Sequence, residues 1–266
     1  MWIGRNFIVI QRSRVGERSA TMMDDTVFAQ PVADPHDLGL PADFKAIVIG
    51  ATGGIGRAFA AALGADRHCG GVTALSRASS PRVDLLDEAS LAAAAAELAA
   101  TGPYHLIITA VGILQNEQLQ PEKSLRALDP AQMAASFAIN AIGPALVIKH
   151  FAPLLPKTGR SVIATLSARV GSIGDNRLGG WYSYRAAQAA LNQLIHSAAI
   201  EVARTRPEAV LLALHPGTVD TRLSKPFKAT HEVFTPVDAA ERMLDVIETA
   251  KVSGSFLAYD GSQIEW

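Results

Sequence analysis

Phe44-Lys45-Ala46-Ile47-Val48-Ile49-Gly50-Ala51-Thr52-Gly53-Gly54-Ile55-Gly56 is the stretch that decides how this chain folds. Its first six residues form a short apolar, β-branched run, the pattern of a strand buried in a parallel sheet. A glycine-rich turn follows at once, and Arg57 to Leu63 continues as a helix of small residues. Phosphates need close backbone approach and unpaired N–H donors, and a helix N-terminus adds a favourable dipole. Glycines alone also serve structural turns. The strand before and the helix after them make a nucleotide cradle the stronger reading.

Working outward, strands and helices alternate. Val72 to Leu75 reads as a second strand, and Asp87 caps a helix through the alanine-rich stretch Leu91 to Ala100. His105 to Thr109 is the next strand. Asp129-Pro130 opens a long helix through Asn140 to about His150. Ser161 to Leu166, Val210 to Leu214 and Phe256 to Tyr259 read as strands. Trp181 to Ala203 reads as a helix free of Pro and Gly, and Thr235-Pro236 starts a last helix. Counting a short strand that ends at Asp84, the expectation is an α/β fold: one doubly wound Rossmann domain over residues 44–266. Its mostly parallel sheet has seven strands, with helices on both faces.

Residues 1–43 differ in character. Arg5, Arg12, Arg14 and Arg18 precede Asp24, with Glu17 the one acid among them. Such a leader suits an organelle transit peptide or, more simply, a flexible extension with Met22 or Met23 as the working start. The core is expected to be cytoplasmic. A net charge of −1 gives no field for nucleic acid. No uninterrupted apolar run reaches membrane-spanning length, so no membrane partner is expected. Cys69 is the single cysteine, which excludes an intrachain disulfide and argues against a thiolate metal site. No metal is expected.

The glycines Gly50, Gly54 and Gly56 have G-x-x-x-G-x-G spacing, which resembles the fingerprint of the short-chain dehydrogenase/reductase family; Ile49 stands where the family usually has Thr. Further matches are Asn140-Ala141-Ile142-Gly143, Ser167 after a strand, Tyr184 at a helix start and His215-Pro216-Gly217-Thr218-Val219-Asp220-Thr221. The stretches Gly179 to Arg185 and Tyr259 to Trp266 resemble the C-factor-like branch. The resemblance implies a nicotinamide dinucleotide held by Gly50, Thr52, Gly53, Gly54, Ile55, Gly56 and Arg57. Ala110, Gly112, Pro216, Gly217, Val219 and Thr221 would line it, and Asp84 would meet the adenine. At the end of the second strand, Ser76-Arg77, together with Arg57, suits a 2′-phosphate and hence NADP, with NAD as the alternative.

It also implies carbonyl/alcohol chemistry on a small molecule, with Ser167 holding the oxygen, Tyr184 delivering the proton and Asn140 in support. Residues 170–180 and 218–234 would cover the substrate. The family lysine four residues after the tyrosine is Gln188 here. Gln188 can bind ribose hydroxyls but has no charge to stabilise a phenolate, and a tyrosine of pKa about 10 is ionised only ~0.1% near neutral pH. Weak or reduction-biased catalysis is the expectation. A dinucleotide-binding sensor without catalysis, of C-factor type, is the alternative. The resemblance further implies a homodimer or homotetramer built on the two long central helices.

Overall fold

The computed structural model describes residues 36–117, 119–221 and 232–266. The leader through residue 35, and residues 222–231 of the cover segment expected over 218–234, lie outside the described residues.

Six strands form one parallel sheet in the order β2-β1-β3-β4-β5-β6: β1 (Phe44–Ile49), β2 (Cys69–Leu75), β3 (Leu106–Thr109), β4 (Ser161–Leu166), β5 (Ala209–His215) and β6 (Ser255–Ala258). The doubly wound class is as expected. The count is six rather than seven among the described residues, because the segment ending at Asp84 is no strand. Val83 N donates back to Ser76 O (2.9 Å) and the Arg82 guanidinium closes on Asp84 (2.7 Å), so the chain folds on itself. Pro81 has no N–H for a ladder there.

Alternation along each strand sends side chains to opposite faces, and both faces are covered. Ile47, Ile107, Ile163 and Leu211 pack under α2 (Glu88–Ala99), α4 (Gly143–Phe151) and α5 (Tyr182–Val202). Ala46, Val48, Ile108, Val162 and Leu212 pack under α1 (Gly54–Ala65) and α6 (Pro236–Thr249). The packed body reaches back before residue 44: Leu38 is buried in the α1/α6 layer, and Arg160 Nε donates to its carbonyl (3.0 Å).

The long helix expected from Pro130 to His150 is interrupted. α3 (Pro130–Phe137) starts as expected, with the Asp129 carboxylate accepting from Gln132 N (2.8 Å). A π turn then occupies Ala138–Ile142 before α4 begins. Pro144 has no N–H to give the Asn140 carbonyl, which removes one α-helical bond where the helix widens. Gly143 is needed by packing: a Cβ there would meet Leu85 Cβ at 2.7 Å. By length and composition alone, Pro130–Leu154 could cross a membrane. Here Val147, Ile148 and Phe151 of that stretch are in the core against the sheet.

The paired strand ends, Ile49 with Leu75 and Thr109, and Leu166 with Leu214, put every βα turn at the same edge of the sheet. Because β1 leads to β2 on one side and β3 lies on the other, a crevice opens beside the end of β1, the usual ligand position in such sheets. Asp129→Ala removes the α3 cap and is expected to lower stability by about 1 kcal/mol in urea unfolding. An unchanged midpoint would mean that the π turn, not the cap, sets the register of this helix.

Candidate active site

The glycine loop is shaped by its own backbone. Gly50 has φ +88°, and a Cβ on it would lie 2.5 Å from Ala110 O. A Cβ on Gly56 would collide with the Gly50 carbonyl. Any larger residue at either position would push the loop away from β3 or from the start of α1. Gly53 and Gly54 are less confined from inside the fold, so their lack of side chains leaves the outer surface of the loop open. Gly53 caps α1 without a side-chain bond, and the first turn carries no acid. The first-turn amides of a helix have no intrahelical acceptor. The helix therefore presents bare N–H groups and its positive end to the crevice.

The Pro216-Gly217 turn adjoins this loop. Gly217 takes φ +77°, with the Phe234 ring against the place a Cβ would occupy (2.8 Å). Thr221 Cγ2 would be 3.2 Å from a Cβ on Gly54. Phe234 N donates to Thr218 O (2.8 Å) and Asp220 N to Phe234 O (2.9 Å), which closes the base of the long connection. At the end of β2, Ser76 is folded into a tight turn with Ser79. Arg57 and Arg77 are both exposed, and neither has an ion pair among the described residues. Asp84, by contrast, is paired with Arg82 and accepts from Leu86 N (3.1 Å).

Asn140 explains the π turn chemically. It is 1% exposed; its Oδ1 accepts from Ile113 N and its Nδ2 donates to Ile113 O, both at 2.8 Å. It thus holds the chain after β3, including Gly112, whose Cα faces the same amide. Ser136 Oγ adds a third bond at 3.2 Å.

Ser167 lies against α5 at Gln188, one turn after Tyr184. Ser167 is anchored by its N–H on Leu214 O (2.7 Å), and its Oγ is 3.2 Å from Gln188 Oε1 and 2.7 Å from Asn192 Oδ1. Burial pushes the Tyr184 phenol up to about 12, while a hydrogen bond from Gln188 pulls the other way. Gln188 faces serine with its carbonyl, its Oε1 lying 3.2 Å from Ser167 Oγ. Tyr184 also lines a small open recess with Leu114, Leu119, Gln132, Ser136 and Ser183. Beside it, the buried Glu122 carboxylate accepts from Ser183 N (3.1 Å) and from the Ser183 hydroxyl, capping α5 from another loop.

The two arginines that could have replaced the missing lysine are engaged elsewhere. Arg185 donates to Gly180 O (3.0 Å) and Val170 O (3.3 Å), and Arg169 pairs with Asp175 (3.4 Å). Asn192 and Glu122 were not among the residues expected from the sequence. Asn192 had a signal: Tyr184, Gln188 and Asn192 fall every four residues, a polar stripe on a buried helix face. Glu122 had none, since its role depends on a contact across 61 positions.

A family model described as enoyl-(acyl carrier protein) reductase matches residues 72–264. This chain belongs to the short-chain dehydrogenase/reductase family. It is 32% identical over 206 residues to 1-hydroxy-2-glutathionyl-2-methyl-3-butene dehydrogenase of Rhodococcus sp. (strain AD45), covering 76% of this chain and 84% of the relative. It is 33% identical over 169 residues to C-signal of Myxococcus xanthus, covering 62% and 95%. Among solved structures it resembles NADPH-bound carbonyl reductase from chicken fatty liver (TM-score 0.74, 24% identity, 88% of this chain and 100% of that one). It also resembles a short-chain dehydrogenase/reductase from Burkholderia multivorans with bound NADP (TM-score 0.72, 24% identity, 84% and 100%). At that identity the structural likeness establishes the fold.

His215, at the end of β5, is also perturbed: burial, helped by the nearby Arg169 charge and opposed by Asp260, lowers its pKa from 6.5 to about 4. The unfolded chain therefore takes up a proton between pH 6.5 and about 4 that the folded chain refuses, so this residue costs stability as pH falls through that window. His215→Gln is expected to flatten the loss of urea-unfolding stability there. Equal slopes in the two proteins would show that the ring is protonated in the fold.

Proposed function

We propose that this protein is an NADP-dependent reductase of small carbonyl compounds. The observation that carries the reading is the buried Ser167–Gln188 contact, with Tyr184 one turn before Gln188 on the same helix. A reduced nicotinamide dinucleotide supplies the hydride when bound. The reading is supported by the first-turn amides of α1 for a pyrophosphate and by two exposed guanidiniums, Arg57 and Arg77, that have no ion pair among the described residues and suit a 2′-phosphate.

The remaining chemistry belongs to the side chains. Hydride arrival at a carbonyl carbon builds negative charge on its oxygen, which needs donors in place beforehand. Ser167 donates to that oxygen, and Tyr184 both donates and then delivers its proton. With its pKa near 12, Tyr184 is protonated at neutral pH apart from a fraction on the order of 10⁻⁵. That suits a proton donor. It disfavours alcohol oxidation, which needs the phenolate as base. A lysine at position 188 would stabilise that phenolate; Gln188 leaves the site biased toward reduction. Asn140 keeps the chain after β3 in place against the cofactor side of the crevice. The proposed unit of function is a homodimer or homotetramer in the cytoplasm.

Two measurements test this. In fluorescence titration NADPH is expected to bind more tightly than NADH. Arg57→Ala with Arg77→Ala should weaken NADPH by roughly 10- to 100-fold per lost charged hydrogen bond and leave NADH nearly unaffected. Equal affinities in the native protein would overturn the choice of cofactor. Against a panel of aldehydes and ketones, native protein should oxidise NADPH, and Gln188→Lys should raise alcohol oxidation more than carbonyl reduction. Tight NADPH binding with no turnover in either protein would sink the enzymatic reading.

A further inference from the structure

We infer that Asn192 is a positioning residue that turns Ser167 into a donor toward the substrate oxygen. The inference rests on the reading of Ser167 given above and adds a residue to it. Ser167, Gln188 and Asn192 are all buried, at 5%, 3% and 2% exposure, so water does not complete their bonding. The Ser167 hydroxyl has one hydrogen, yet two amide oxygens face its Oγ: Asn192 Oδ1 at 2.7 Å and Gln188 Oε1 at 3.2 Å. At the same time Asn192 Nδ2 is buried and has no partner among the described residues. One side of this amide thus has an oxygen competing for a proton, and the other an N–H₂ with nothing to bond.

The two ends of a carboxamide have the same shape, and only the bonding pattern tells them apart. Turning the Asn192 amide by half a turn removes both faults. Nδ2 then donates to Ser167 Oγ at the 2.7 Å position, and the unpartnered atom becomes a carbonyl oxygen, a smaller burden than two unmet N–H donors. The direction of the Ser167 proton follows. With its lone pair taken by Asn192, the hydroxyl donates to Gln188 Oε1, the longer and weaker of its two contacts. That bond points toward Gln188, which shares its buried helix face with Tyr184 one turn earlier. A carbonyl oxygen seated beside Tyr184 displaces Gln188 as the acceptor, and the donor chain runs from Asn192 N–H through Ser167 O–H to the substrate. The opposite orientation would commit the serine proton to Asn192, leaving Ser167 able only to accept.

Asn192→Asp keeps the shape and removes the donor, and Asn192→Leu removes both. Each is expected to lower kcat for carbonyl reduction about tenfold or more, the cost of one buried bond, with NADPH affinity unchanged. In a Ser167→Ala background Asn192→Leu should cost nothing further, because its effect passes through the serine. Additive losses would overturn the inference. A readout independent of turnover is the Asn192 side-chain N–H₂ signal in the ¹H–¹⁵N spectrum of the cofactor-free protein, identified by its loss in Asn192→Asp. It should shift in Ser167→Ala, and an unmoved signal overturns the inference even if the variants lose activity. A shifted signal in a protein that reduces no carbonyl would uphold the Asn192–Ser167 bond while defeating the reductase reading.

Discussion

The Gly50 carbonyl occupies the space that a side chain at residue 56 would need, while Gly50 itself lies against the backbone of Ala110. This three-way approach of β1, β3 and the start of α1 is the constraint from which the site follows. It seats α1 directly behind the loop, so the helix N-terminus faces the crevice at the switch in strand order. It also fixes where the chain leaves β3, and so where Gly112 and Ile113 can be gripped by Asn140. The glycines of the motif thus divide by role. Gly50 and Gly56 are required by the protein's own backbone, while Gly53 and Gly54 leave the outer face clear.

The helical stretch opposite is bent to suit. A regular helix from Pro130 to Phe151 would lack the bond that Pro144 cannot give to the Asn140 carbonyl and would leave the Asn140 side chain at an ordinary helical position. The π turn instead lets its side chain bond both backbone groups of Ile113, while Gly143 lets the next turn close on Leu85. The irregularity is therefore the join between the helical layer and the loop lining the crevice, consistent with the frequent placement of π turns at functional sites.

The polar cluster at the centre carries no formal positive charge. A lysine in place of Gln188 would face Ser167 as an ammonium in a dry site; the carboxamide meets the Ser167 hydroxyl without ionising anything. Burial then dominates the tyrosine, with nothing but a neutral hydrogen bond to counter it. Tyrosine, glutamine, asparagine and serine form a connected set of neutral donors and acceptors in which proton direction, rather than charge, sets what each can do.

Much of this was legible in the order of residues. The β-branched run before the glycine turn, the alternation of strands and helices and the Asp129 and Asp87 caps all depend on local periodicity or short spacing, which a linear reading can follow, whereas Ser167, Tyr184 and Gln188 were singled out by the family resemblance. The sheet lost its expected seventh strand because Arg82 and Ser76 draw the Asp84 segment into a turn. The central helix lost its continuity because Asn140 prefers a partner 27 positions away. The same is true of the Glu122 cap on α5 and of the Ser167–Asn192 contact. Sequence order alone determined the class of fold and which residue types were available for chemistry. Only the tertiary structure decided which polar groups meet, because a buried donor or acceptor is satisfied by whatever the packing brings within 3 Å or so of it, however distant in the chain.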